Sequence, residues 1–200
     1  SYFYRCESQI DSLREIVLPR LIDKKVAGGD RSLRIWSAGC STGEEPYTLA
    51  ICMYETLQFH TIWNVTIYAT DISTEVLTRA LEGKYNRRAI EHMPAELLSK
   101  YFFEKDGYYY INNIVKKDIE FEYMNLSDAY YEEGFDIIFC RNVLIYFRDD
   151  TKKEILNKFY NSLKPDGYLF LGPAEMVRGL CDGFKLVGLK DSVAFQKAPR

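Results

Sequence analysis

Apolar and polar positions change their spacing along the chain, from helical patterns to short runs typical of strands. Residues 6–25 carry apolar side chains three and four positions apart, which predicts a helix packed against a core. An apolar run near 33–38 precedes a helical pattern that ends at about residue 59. A second run at 65–70 precedes a helical pattern from 73 to about 81. Strands and helices that alternate in this way indicate a parallel sheet with right-handed crossovers.

The middle of the chain breaks this alternation. Residues 93–103 predict a short helix, and residues 102–111 predict a hairpin around an Asp-Gly turn. The alternating segment 119–123 is expected to rejoin the main sheet. We therefore predict a small β insert at 100–118 within one domain that spans residues 1–200.

The last third returns to buried strands, beginning with a run that is apolar except for Asp136 and is typical of a parallel strand covered on both faces. The predicted elements are a strand, a helix, a strand after a Pro-Asp-Gly turn, and an antiparallel pair, at 135–140, 149–163, 168–172, 184–187 and 193–196. The whole pattern predicts an α/β fold with a seven-stranded, mostly parallel sheet and a small antiparallel insert.

Composition and charge narrow the function. Of the 200 residues, 47% are hydrophobic and 15% aromatic, as in a packed globule, and a net charge of −3 argues against a general nucleic-acid binder. The five cysteines have no metal-ligand spacing, and three of them lie in apolar contexts, which predicts buried free thiols in a reducing cytoplasm. His60 and His92 share no motif, which argues against a zinc site. No apolar run reaches membrane-spanning length and no signal peptide is visible, so we expect a cytoplasmic protein that is not membrane-inserted.

The turn after the first strand is the main candidate binding element. Gly39 and Gly43 precede two carboxylates, Glu44 and Glu45, at the start of a helical pattern. Such a turn lets the backbone approach a ligand closely. The glycine spacing is not that of dinucleotide sites and the carboxylates would repel a pyrophosphate, which disfavours an NAD-linked oxidoreductase. They suit a ligand with hydroxyls and a cationic group, such as S-adenosylmethionine (SAM).

Asp71 ends the second strand and has two interpretations. An acid at this point of an α/β unit can bind two ribose hydroxyls. It can also be the N-cap of the helix predicted from residue 73. Together with the glycine turn, ribose binding is the favoured interpretation.

Several segments, in order along nearly the whole chain, resemble the CheR-type chemotaxis receptor methyltransferases. They are Ser-Ala-Gly-Cys-Ser-Thr-Gly-Glu-Glu-Pro-Tyr at 37–47, Ala-Thr-Asp-Ile at 69–72, Phe-Cys-Arg-Asn-Val-Leu-Ile-Tyr-Phe at 139–147, Leu-Lys-Pro-Asp-Gly at 163–167, and Ser-Tyr-Phe-Tyr-Arg at 1–5, a variant of Thr-x-Phe-Phe-Arg. The resemblance implies a Rossmann-like class I methyltransferase fold. It implies transfer of the SAM methyl to glutamates of chemoreceptor cytoplasmic helices, which yields glutamyl methyl esters and S-adenosylhomocysteine.

The resemblance also implies a set of cofactor-binding residues, namely Ser1, Arg5, Gly39, Gly43, Glu44, Asp71, Asn125, Leu126, Arg141 and Asn142. Within it, Glu44 would meet the cationic methionine portion, and Asn125 and Leu126 would contact the adenine. Without the family, Asn125 is equally well explained as a turn or cap residue. Arg141, after a strand that is apolar from Ile137 to Cys140, is either a salt-bridged structural residue or part of the active-site wall, and the family match favours the wall.

Tyr146 and Arg141 are the candidate catalytic residues. The tyrosine that matches Tyr146 in the family lies near the transferable methyl, whereas the alternative is a core residue beside Phe147. Asn142 and Tyr146 are four positions apart and would share a face if the segment were helical. A glutamate acceptor is already ionised at neutral pH, so no strong general base is expected. Catalysis would come mainly from positioning and desolvation.

Two features keep other functions open. Gly-Pro-Ala-Glu at 172–175 stands where the family usually has Gly-His-Ser-Glu, which motivates a SAM-binding regulatory module with lost chemistry. The compact insert leaves room for a methyltransferase acting on another protein or a small molecule.

In some family members the insert binds a receptor's C-terminal peptide as an added strand, and a form without this tether is about as well supported here. The family's N-terminal helical domain is expected to be absent from this chain.

Overall fold

A computed structural model of the chain describes residues 1–57, 60–175, 179 and 181–199. The helices are α1 to α7, at Glu7–Ser12, Leu18–Ala27, Glu44–Thr56, Thr74–Glu82, Ala95–Tyr101, Asn113–Lys116 and Asp149–Ser162. The strands are β1 to β10, at Ser32–Ala38, Asn64–Asp71, Lys84–Tyr85, Phe102–Lys105, Tyr108–Ile111, Ile119–Tyr123, Phe135–Cys140, Leu163–Leu171, Phe184–Leu189 and Ser192–Lys197.

Seven strands form the main sheet in the order β6-β2-β1-β7-β8-β10-β9. The first five are parallel, and β10 is antiparallel to both β8 and β9. The predicted seven-stranded, mostly parallel sheet is therefore confirmed. From β1 the chain first builds the β2 side and then returns to place β7 on the other side. The carboxyl ends of β1 and β7 thus flank the crevice where open α/β sheets bind ligands.

The core covers both faces of the central strands. Every residue of β7 is buried, as expected for a parallel strand between two helical layers. Trp36 on β1 is fully buried and lies in one cluster with the rings of Tyr131, Phe135 and Phe159. Rigid packing of β1 and β7 fixes the positions from which the loops of the site emerge.

The small insert is an antiparallel sheet in the order β3-β5-β4. Its hairpin has the predicted Asp-Gly turn, with φ of 52° at Asp106 and 76° at Gly107, values that suit a two-residue hairpin turn. The insert also takes in Lys84–Tyr85, which is too short a strand to be recognised from the pattern.

The remaining elements agree with the sequence apart from a few boundaries. The first helix runs from Glu7 to Ala27 but contains a π-helical turn at Leu13–Val17. Pro19 explains it, because proline donates no hydrogen bond and its ring needs room from the preceding turn. The helix after β1 ends at Thr56, earlier than predicted, and residues 58–59 lie outside the described part of the chain.

Strand β8 begins earlier than predicted. Leu163 is opposite Phe135 and Tyr168 is opposite Ile137, so the predicted Pro-Asp-Gly turn forms a bulge inside the strand. None of the helices in the described ranges is long and apolar enough to cross a membrane.

Candidate active site

A cavity of about 470 Å³ opens at the carboxyl ends of the central strands. Nine of the eleven site residues predicted from the sequence line it, namely Ser1, Arg5, Gly39, Asp71, Asn125, Leu126, Arg141, Asn142 and Tyr146. They come from five separate segments of the chain, so only the parallel sheet brings them together. The two others, Gly43 and Glu44, lie elsewhere.

The glycine turn after β1 is held close to its neighbours. The amides of Gly39 and Cys40 both donate to the carbonyl of Thr70, at 2.8 and 2.9 Å. Gly39 has φ of +81°, and a Cβ atom on it would lie 2.3 Å from a methyl group of Val143. A side chain at position 39 would therefore push apart the two loops that border the cavity.

Gly43 serves the packing of helices. It is the N-cap of α3 with φ of +93°, and a Cβ there would meet Ala80 of α4 at 2.9 Å. Gly43 does not line the cavity, so of the two glycines only Gly39 can bring the backbone close to a ligand. Gly43 instead permits close contact between α3 and α4.

Asp71 is the last residue of β2 and faces the cavity. Its Oδ2 accepts from the amide of Ser41 at 2.8 Å, and its Oδ1 accepts from the amide of Ser73 at 3.0 Å. The N-cap interpretation of Asp71 is wrong, because the N-cap of α4 is Ser73, whose hydroxyl accepts from the amide of Val76. The carboxylate keeps free lone pairs and is held in one orientation by two backbone amides.

The two carboxylates of the turn face different ways. Glu45 lines the cavity, and its Oε2 accepts from Nε of Arg141 at 2.6 Å while its Oε1 accepts from the hydroxyl of Ser37 at 2.7 Å. Glu44 is buried, accepts from the hydroxyl of Thr42, and lines a neighbouring cavity that shares Ser1 and Tyr2 with the first. Glu45 was missed as a site residue, and its signal was Arg141, a buried cation that needed an acidic partner.

Arg141 combines the two roles that the sequence left open. Besides Glu45, it donates through Nη1 to the carbonyl of Arg5 at 2.6 Å and lines the cavity. It therefore fastens the start of the chain to the end of β7 while forming part of the cavity wall. Asn125 likewise has both roles, because its Oδ1 accepts from Ser127 in a turn while it lines the cavity.

The loop after β7 is not a continuous helix. Asn142 has φ of +60°, and a single 3-10 turn follows at Leu144–Tyr146, so the segment is not the helix on which a shared face of Asn142 and Tyr146 depended. Both side chains nevertheless line the cavity. Tyr146 is 81% exposed, which excludes the interpretation of this ring as a core residue.

Two further features concern the chemistry. Burial, with Asp71 nearby, raises the pKa of Cys40 far above its ordinary value, so this thiol stays neutral and is a poor nucleophile. In the described ranges no three His, Cys, Asp or Glu side chains are grouped to hold a metal ion. Pro173, at the position where the resemblance led us to expect a histidine, is exposed and lines a separate cavity with Glu175.

Comparison with known proteins gives concordant matches. The family described as CheR methyltransferase, SAM binding domain, matches residues 1–193. The chain is 41% identical to a chemotaxis protein methyltransferase of Borreliella burgdorferi over 183 residues, covering 90% of this chain and 65% of that protein. It is 39% identical to chemotaxis protein methyltransferase 1 of Pseudomonas aeruginosa over 200 residues, covering 97% and 72%. The chain thus spans about two thirds of the length of these relatives.

Among solved structures, the chain is similar to magnesium protoporphyrin IX methyltransferase from Synechocystis with bound SAM. The TM-score is 0.45 and the sequence identity 14%, over 96% of this chain and 80% of that one.

Proposed function

The chain belongs to the CheR family of SAM-dependent methyltransferases, and from that premise we propose that it methylates glutamate side chains of chemoreceptor cytoplasmic helices. The observation that carries the proposal is the single cavity lined by residues from five segments, at the crevice where this type of sheet binds ligands. The chemotaxis relatives support the choice of acceptor. Such an acceptor implies that the protein acts in the cytoplasm.

The cavity fits SAM on three observations. Its volume of about 470 Å³ lies in the range of small-molecule sites. Its wall contains the carboxylates of Asp71 and Glu45, which suit hydroxyl and ammonium groups respectively. Asn142 Oδ1 is buried, and no group in the described part of the chain donates to it, so a ligand donor would satisfy it.

Each part of the cofactor has a residue suited to it. Asp71 would hold the ribose hydroxyls, and Asn125 with Leu126 would contact the adenine. Arg5 would pair with the cofactor carboxylate. Glu45 lies on the same wall as Arg141 and is the better-placed carboxylate for the cationic methionine portion.

The remaining predicted cofactor contacts keep their place in the proposal with less support. Ser1 would close over the cofactor from the start of the chain. Glu44 faces the neighbouring cavity, so its predicted contact with the methionine portion would require its side chain to leave Thr42.

The reaction needs positioning rather than acid–base chemistry. When bound, SAM supplies a methyl group on a positively charged sulfur. An acceptor carboxylate oxygen held in the site would take that methyl group, and the electron pair of the carbon–sulfur bond would pass to sulfur. No proton moves, so the residues of the site only need to align the acceptor and exclude water. Tyr146, exposed at the cavity, would orient the acceptor, and Arg141 would keep the wall rigid.

The β insert would provide a second contact with the receptor. Strand β4 lies at the edge of the small sheet and pairs with β5 alone among the described strands. Phe103 on this strand is half exposed. An extended receptor C-terminal peptide could add to this edge and keep the acceptor helices near the site.

Transfer of labelled methyl from SAM to a chemoreceptor cytoplasmic fragment tests the proposal. We expect label that is released as methanol by mild alkali, as glutamyl methyl esters require, and none on a fragment whose acceptor glutamates are alanine. Alkali-stable label would indicate a different acceptor atom. Cofactor binding without any transfer would instead support a regulatory module.

A further inference from the structure

Glu175 makes an unusual set of contacts beside the site. It is 6% exposed, and its two oxygens accept from four backbone amides. Oε2 accepts from Asn142 and Gly172 at 2.8 and 2.7 Å, and Oε1 accepts from Val143 and Leu144 at 2.9 and 2.7 Å. Charge-assisted hydrogen bonds of this length are among the stronger polar contacts in proteins.

Three of these amides are consecutive and belong to the loop that borders the cofactor cavity. The loop begins with Asn142 in a left-handed conformation, which disfavours residues other than glycine and asparagine. The carboxylate stabilises that conformation by accepting from the three loop amides, and the amide of Leu144 is the first donor of the 3-10 turn at Leu144–Tyr146. Glu175 itself does not line the cavity.

We propose that Glu175 is a positioning residue, whose carboxylate fixes the loop 142–146 so that Asn142 and Tyr146 are presented to cofactor and acceptor. The effect on cofactor and acceptor rests on the proposed function, whereas the hydrogen bonds of Glu175 to the loop do not depend on it. It also gives a reason for the acid at the end of the Gly-Pro-Ala-Glu segment. The loop needs the acid for its fixed conformation, whereas the exposed Pro173 lies outside these contacts.

The spacing at Gly172 supports this view. A Cβ atom on Gly172 would lie 2.7 Å from Oε2 of Glu175 and 3.1 Å from the amide nitrogen of Asn142. The glycine therefore leaves space for the carboxylate to reach the loop. Gly172→Ala would push the carboxylate away without changing its charge.

Glu175→Gln is the direct test, because glutamine has nearly the same size but replaces one oxygen by an NH2 group. Two backbone amides would then face a donor instead of an acceptor. We expect the affinity for S-adenosylhomocysteine to fall by at least about tenfold, since losing charged hydrogen bonds to buried donors is costly. Glu175→Asp keeps two acceptor oxygens and should recover part of that loss. If size alone mattered, glutamine would be the better replacement.

Asp136→Asn is the matched control. Asp136 is also a buried carboxylate that accepts from a backbone amide, that of Arg34, but it lies at the opposite end of β7. It should lose stability without losing cofactor affinity. Comparing the melting temperatures of Glu175→Gln and Asp136→Asn separates general destabilisation of the fold from displacement of the loop 142–146.

Amide hydrogen exchange gives a readout that does not depend on activity. The amides of Asn142, Val143 and Leu144 should exchange faster in Glu175→Gln and in Gly172→Ala, and remain protected in Asp136→Asn. Unchanged protection together with unchanged affinity in Glu175→Gln would overturn the inference. A wild type that shows fast-exchanging loop amides would also overturn it. A wild type that protects these amides but transfers no methyl would refute the proposed function alone.

Discussion

Gly39→Ala tests whether the two loops that border the cavity depend on each other's shape. An alanine at φ of +81° costs about 1–2 kcal/mol for the left-handed backbone alone. Its Cβ would in addition lie 2.3 Å from Cγ2 of Val143, so one of the loops must move. Overpacking of this kind typically adds about 1–3 kcal/mol. We therefore expect Gly39→Ala to lower the free energy of unfolding by about 2–5 kcal/mol, the sum of the two terms.

Gly29→Ala is the matched control. Gly29 has φ of +74°, and a Cβ there would meet nothing within 4 Å. Gly29→Ala therefore measures the free-energy cost of an alanine at positive φ without a steric clash. Gly29 precedes β1 and lies at the end of the sheet away from the cavity. Urea unfolding of both variants gives the difference. Gly39→Ala should also weaken binding of S-adenosylhomocysteine, whereas Gly29→Ala should not.

Val143→Ala completes the test as a double-mutant cycle. It removes the methyl groups that would clash and leaves the Cβ of residue 143 at an ordinary 3.5 Å. In this background the cost of Gly39→Ala should approach that of Gly29→Ala, a coupling of about 1 kcal/mol or more. Equal costs for Gly39→Ala and Gly29→Ala, or no coupling to Val143, would refute the reasoning.

Three other perturbations address the ion pair, the exposed tyrosine and the buried thiols. Glu45→Gln leaves Arg141 buried without its carboxylate and should cost about 3 kcal/mol in urea unfolding. Tyr146→Phe should leave melting temperature and S-adenosylhomocysteine affinity unchanged, because the ring is exposed, but should lower kcat about tenfold if its hydroxyl orients the acceptor as proposed. Burial raises the pKa of Cys52 from 9.0 to about 12, so its contribution to stability is present below pH 9 and is lost between pH 9 and 12. The free energy of unfolding in urea should fall less steeply with pH for Cys52→Ala than for the wild type between pH 9 and 10.5, with a difference in slope that approaches about 1.4 kcal/mol per pH unit.

Sequence patterns predicted the elements whose signal is local. Strand β7 was recognisable because five of its six residues are apolar, and the hairpin because Asp106 and Gly107 suit its turn. The π-helical turn before Pro19 was not predicted, since apolar spacing does not distinguish a widened turn from a regular helix. The bulge at 164–167 depends on pairing with β7, which no local pattern reports.

The sequence predicted which residues would lie near one cavity better than it predicted their contacts. Glu44 and Glu45 are adjacent on a helix and point about 100° apart, so only one can face the strand ends. Which one does so is decided by where α3 begins, and the apolar spacing does not fix Gly43 as its N-cap. The contacts of Glu175 with residues 142–144 join segments about thirty positions apart, and no spacing in the sequence links them.

Titration of S-adenosylhomocysteine into the wild type and into Asp71→Ala tests the central claim most directly. Asp30→Ala is the control, because Asp30 also accepts from an amide two residues on, that of Ser32, but precedes β1 at the far end of the sheet. The account predicts micromolar binding by the wild type and by Asp30→Ala, and none by Asp71→Ala. No binding by the wild type, or equal binding by all three, would contradict the assignment of this cavity as the cofactor site.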